Sequence, residues 1–219
     1  VTCFLRENDF WGNKNIQVPR GASILTVIII GVLLSIISDN LTLGPSWTIL
    51  FVIAILLIPM GISMVRGHHN RTRALSLSIA GVVTAGLVTS VAFLINALFH
   101  HYASAASLFR SACLLWIINI GVFAVWYWEI DRGGPLKRHN GKSEVPDFLF
   151  PQMTVDVKGV EHWTPVFLDY LYLAYNTNTA FSPTDTMVLS KRAKIFMMIQ
   201  SSISLLIVAV VAARAVNIA

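Results

Sequence analysis

Charge is scarce in this chain. Only 12% of its 219 residues are Asp, Glu, Lys or Arg, roughly half of what soluble globular domains carry. A water-soluble fold is therefore excluded as the first reading. Cysteine is scarcer: Cys3 and Cys113 are the only two, and Cys113 falls inside a long apolar run, so neither a disulfide framework nor a metal site is indicated. Motifs of catalysis are missing as well. There is no nucleophile elbow, no glycine loop that would cradle phosphate, and no HExxH pair. No cofactor is indicated. Adjacent His68 and His69 lack the third and fourth ligands that zinc requires. Acidic residues are outnumbered, 11 against 16 Lys and Arg. In a soluble protein that excess would suggest nucleic acid. Here it reads as basic loops that fix membrane topology, and no nucleic-acid partner is expected.

What the chain has in abundance is apolar sequence: 55% of its residues are hydrophobic and the mean hydropathy is +0.68. A bilayer core of about 30 Å needs about 20 apolar residues per helix. Five runs meet or approach that: residues 22–38, 47–65, 74–99, 108–128 and 195–213. The fold class is an all-α integral membrane protein with about five transmembrane helices. The first run is longer than a signal-peptide core and no small-x-small cleavage site follows it, so it reads as a retained span. Residues 1–21 form a polar tail in which Phe10 and Trp11 suit an interfacial anchor. Residues 22–128 form a four-helix region, 129–165 a loop, and 166–219 the last section.

Local features follow within the runs. Asp39-Asn40 and Gly44-Pro45 make a turn. Pro59 removes a backbone donor inside the second run and predicts a kink. In the third run Ser78, Gly81, Ala85, Thr89, Ala92 and Asn96 share one small face, the usual means of close helix packing in lipid. Arg110 can snorkel from the fourth run. Trp126, Tyr127 and Trp128 read as an aromatic girdle, and the helix stops at Gly133-Gly134-Pro135. The long loop mixes Glu129, Asp131, Glu144, Asp147, Asp156 and Glu161 with basic residues, the pattern of a solvated surface. Phe148-Leu149-Phe150-Pro151 could dip into the interface. Arg214, near the end of the last run, is expected to reach the interface or pair with a carboxylate such as Asp39.

Residues 167–192 stand apart. They are too polar for an ordinary span and too aromatic for an ordinary loop. The first part reads as a short aromatic helix. Asn176, Thr177, Asn178 and Thr179 then follow in a row. Ser182-Pro183-Thr184-Asp185 has the pattern of a new helix start, with serine as N-cap, proline next and a carboxylate at the third position. Polar backbone at membrane depth is tolerated only where protein or water covers it.

The lysines and arginines sort by side if the first four runs alternate. The tail (Arg6, Lys14, Arg20), the second turn (Arg66, Arg71, Arg73), the long loop (Arg132, Lys137, Arg138, Lys142, Lys158) and Lys191, Arg192 and Lys194 then share one face. Only Arg110 and Arg214 are left over. The positive-inside rule makes that face cytoplasmic, with the N-terminus inside. For Lys191 and Arg192 to lie there, residues 167–189 cannot cross. They form a re-entrant or interfacial half-helix before the last span.

WEIDRGGP, DFLFPQM, DYLYLAYNTNTAFSPTDTMVLSKRAK and ARAVNI, all in the C-terminal half, resemble an uncharacterised bacterial inner-membrane protein family of unknown function. That resemblance implies a multi-pass protein of the bacterial inner (plasma) membrane. The last section is also similar to the pore-helix, filter and inner-helix module of potassium channels, with residues 168–179 as pore helix and Asp185 near the position of the closing aspartate. Where those channels have filter glycines, this chain has Ala180-Phe181-Ser182-Pro183-Thr184, so the filter is degenerate and its carbonyl ring is not provided.

Three functions compete. The first is a pore-loop channel or transporter for a cation or small polar solute, with Asn176, Thr177, Asn178, Thr179, Ser182, Thr184 and Asp185 lining the path. The second is an accessory or structural membrane protein without transport, in which the Asn/Thr run is a satisfied polar knot. The third, ranked last, is a membrane enzyme using Glu129, Asp131 and His139; the chain is read as not an enzyme. Expected partners are the lipid bilayer and further copies of the chain in a homo-oligomer.

Overall fold

The computed structural model describes residues 21–37, 47–100, 104–139, 145–155, 163–179 and 185–216. The N-terminal tail, the turn at Asp39-Asn40, and Ser182 and Thr184 lie outside the described residues. The protein is mostly helical. Its helices are α1 (Gly21–Ile36), α2 (Trp47–Val65), α3 (His69–His100), α4 (Ala105–Ile130), α5 (Pro135–His139), α6 (Phe167–Thr179) and α7 (Lys191–Val216). Two short strands, β1 (Phe148–Leu149) and β2 (Met187–Val188), pair antiparallel with Phe148 opposite Val188. Three helices, α3, α4 and α7, are long and apolar enough to cross a membrane. α1 and α2 are shorter, at 16 and 19 residues, but apolar throughout.

α4 is the axis of the bundle. Of its apolar stretch 67% is buried, against 39% for α3 and 28% for α7. Ser104 starts it by accepting the Ser107 N–H at 3.3 Å, which satisfies one of the open donors of the first turn. Its end is enforced by backbone geometry. Arg132 (φ 51°), Gly133 (φ 73°) and Gly134 (φ 104°) follow in left-handed conformations, and Pro135 opens α5. At Gly134 the positive φ favours glycine, and the Arg73 side chain lies close against it.

Contacts along α4 fix the direction of its neighbours. Gly121 admits Thr26 and Ile30 of α1, and Arg110 donates to the open Ile36 carbonyl at the end of α1. Ser76 of α3 meets Glu129, and Thr84 meets Trp126. Arg192 at the start of α7 meets Asp147, just beyond α4. Thus α1, α3 and α7 run one way, and α2 and α4 the other. Among the described residues every lysine and arginine except Arg110 and Arg214 lies at the end where α4 finishes. We call this end the basic face.

Several sequence expectations change in three dimensions. The small face of α3 points away from the protomer's own core: Ser78, Ala85, Ala92 and Asn96 are exposed, while Ile79, Val83, Leu87 and Leu94 form the buried face. Leucine and isoleucine bury more apolar area per residue, so the bulky stripe takes the core. Tyr127 and Trp128 are no girdle; they are 0% and 1% exposed. Phe148 and Phe150 do not dip into an interface but plug the basic end of the core, 5.1 Å from the Tyr127 ring and 5.4 Å from the Tyr170 ring respectively.

Candidate functional site

α6 enters the bundle from the basic face. Its first turn closes on itself, with Asp169 accepting the Val166 N–H at 2.7 Å. Phe167 and Tyr170 pack edge-on against Trp128. Further along, Tyr175 meets Trp116 and Asn178 reaches Asn119. The helix has 13 residues, about 20 Å at 1.5 Å per residue, against about 39 Å for the 26 of α4. It therefore stops near the middle of α4. By Met187 the chain is back at the basic face, paired with Leu149.

A helix that ends inside an apolar bundle leaves carbonyl oxygens without partners. Three of the last four are met here by hydroxyls. Thr179 donates to the Asn176 carbonyl at 3.0 Å, Ser201 to Thr177 at 3.3 Å and Ser204 to Asn178 at 2.6 Å. Amides complete the knot. Gln200 donates to the Ala174 carbonyl at 2.8 Å and accepts from the Tyr127 hydroxyl. Asn119 donates to the Asn178 side chain and to the Gln200 carbonyl, and Asn178 donates to the Trp116 carbonyl at 3.2 Å.

The residues expected to line a path thus divide. Thr177 and Asn178 are buried in the knot, while Asn176 and Thr179 sit half-buried on its rim. Asp185 is exposed and stands apart from them, two residues before β2. The helix start expected at Ser182 is not found over the described residues after it. Asp185 to Leu189 are bend and strand, because β2 and the Leu189 N–H are taken up by β1 and the Asp147 carbonyl. The N-cap is Ser190, which accepts the Ala193 N–H at 3.1 Å. The sequence reading missed Asn119, Gln200, Ser201 and Ser204. The available signal was an amide inside each of two apolar runs, since polar groups inside membrane segments rarely lack a role.

The second polar centre, expected on a solvated loop, is buried. Asp131 is 0% exposed and Asp147 1%. One Asp131 oxygen accepts the Tyr170 hydroxyl at 2.6 Å and the other the Asp147 N–H at 2.9 Å. Arg138, 4% exposed, lies 3.7 Å from Asp131 and stacks 4.4 Å from the Trp128 ring centre. Burial pulls its guanidinium below the ordinary value, against the raising effect of Asp131 and Glu129. Asp147 holds Arg192 in a two-pronged pair at 2.6 and 2.6 Å and accepts the Arg132 N–H. Burial alone would raise the Asp147 carboxyl; the Arg192 and Ser190 hydrogen bonds and the Arg192 charge outweigh it and hold the group below the usual range. Of the catalytic candidates, Glu129 and Asp131 turn to different partners, Ser76 and Tyr170. The side chain of His139 lies outside the described residues.

No family model, curated protein or solved structure matches this chain.

Proposed function

We propose that the chain is a five-span membrane protein in which α6 is a re-entrant half-helix. It enters and leaves on the basic face, which is cytoplasmic by the positive-inside rule. In this reading α1 and α2 join the three long helices as spans. We further propose that it acts as an accessory, structural component of the membrane and conducts no solute. The observation that carries this reading is the knot at the end of α6. The carbonyls of Asn176, Thr177 and Asn178 already have hydroxyl partners within the protomer, so they have little to offer a desolvated ion, which needs open carbonyls. The test is cation and small-solute flux into vesicles holding the purified protein. The expected flux equals that of empty vesicles.

A pore lined by copies of α6 is the second reading. It is favoured by the partial exposure of Asn176 and Thr179 and the exposure of Asp185. Flux that falls on Thr179→Val and Asp185→Ala would replace the accessory reading with this one.

A further inference from the structure

Because α6 covers only half of α4 and α7, the other half of the seam between them is open among the described residues. Two adjoining cavities occupy it, of about 420 and 260 Å³. Both include Phe109 and Val211, so they form one groove. It starts at Trp116, whose carbonyl accepts Asn178 at the end of α6, and finishes at Arg214. The larger cavity lies within the range of about 300–1,000 Å³ that bound small molecules occupy. Its wall is apolar except at the far end. There the Arg214 Nε is buried and has no hydrogen-bond partner among the described residues. Every described carboxylate belongs to the other half of the chain's polar layout: Glu129, Asp131 and Asp147 at the basic face, Asp169 in the first turn of α6, and Asp185 beside β2. A guanidinium at the mouth of an apolar slot complements one chemistry, an acyl chain carrying an anionic phosphate head, because the planar fork matches phosphate oxygens.

We propose that the groove between α4 and α7 is a binding site for an anionic phospholipid of the leaflet opposite the basic face. The acyl chain lies along Cys113, Ile117 and Val208, and the phosphate meets Arg214. The site exists because α6 stops short, so it rests on the membrane reading above. It also gives a structural reason for a half-helix: the lipid chain completes the seam that the protein leaves open.

The test is native mass spectrometry of protein taken from vesicles of phosphatidylcholine with phosphatidylglycerol, after graded removal of detergent-extractable lipid. Wild type is expected to retain phosphatidylglycerol selectively. Arg214→Gln should weaken that retention roughly tenfold, the scale of one hydrogen bond to a charged group, and Arg214→Lys should restore part of it. Val208→Trp, which fills the slot, should abolish retention, while Arg110→Gln, the other cation at that end, should leave it unchanged. Size-exclusion and circular dichroism confirm that each variant is folded. Retention equal in wild type, Arg214→Gln and Val208→Trp overturns the site. So does retention that appears only when Asp39→Asn removes an internal partner for Arg214, or a lipid-free dimer with the groove closed by a second copy. Failure of the protein to partition into the vesicles at all would instead refute the membrane reading.

Discussion

Replacing Gln200 with leucine tests whether the knot at the end of α6 is structural. Leucine keeps most of the volume and removes the amide. Two bonds go: the donation to the Ala174 carbonyl at 2.8 Å and the acceptance from Tyr127. The carbonyl loses little, since side-chain hydrogen bonds between membrane helices average about 0.6 kcal/mol. The Tyr127 hydroxyl, on a residue 0% exposed, is left without its acceptor, and an unsatisfied buried group costs about 1–3 kcal/mol. Thr177 lies within reach of that hydroxyl, so partial relief sets the expected total at about 2 kcal/mol. The asymmetry is the sharper prediction. Adding Tyr127→Phe removes the stranded hydroxyl, so the double variant should be more stable than Gln200→Leu by about 1 kcal/mol. Reversible unfolding in mixed micelles of mild detergent and dodecyl sulfate, followed by tryptophan fluorescence, measures both. If the double variant loses the sum of the two single losses, the pair is not coupled and the knot does not hold α6.

Other consequences are local to the basic face. Asp147 has a lowered folded-state pKa, so the stability it adds is present above the ordinary carboxylate value of 3.8 and is lost as pH falls through the lower folded value. Acid titration below pH ~4 should therefore loosen β1 and β2 in wild type, while Asp147→Asn should show the loosening at every pH, read by amide exchange at Phe148 and Leu189. Tyr170→Phe takes the closest partner from Asp131 and should cost about 1–3 kcal/mol in the same unfolding assay. Gly134→Ala should cost about 1–3 kcal/mol, because φ 104° with ψ 169° is a conformation that only glycine adopts easily. An unchanged midpoint would mean that the turn after α4 is not fixed as described.

Much of the architecture can be read directly from hydropathy. The second run has the boundaries of α2, Trp47–Val65, and α6 begins at Phe167, where the aromatic run begins. The grouping of basic residues by side also holds in three dimensions for those described, with Arg73 and Arg192 at one end of the bundle. The polar centres were less visible, for a physical reason. Whether Asp131 and Asp147 are solvated or buried depends on Tyr170 and Arg192, residues 39 and 45 positions away along the chain. No local pattern encodes such a pairing. Asn119 and Gln200 gave a signal, an amide amid apolar residues, but its meaning required knowing that α6 ends beside them. The small face of α3 lies outside the protomer's core; periodicity marks a face without saying which neighbour covers it. The helix start expected at Ser182-Pro183 falls outside the described residues; after it, β2 pairs with β1 and α7 is capped by Ser190.

The half-helix is tested most directly by sidedness. In oriented vesicles, with Cys3 and Cys113 replaced by serine, single cysteines at Arg71, Ser104 and Lys191 can be labelled with a membrane-impermeant thiol reagent. With α6 re-entrant, positions 71 and 191 react from the same side and position 104 from the other. Labelling of 71 and 191 from opposite sides would mean that α6 crosses the membrane and is no half-helix.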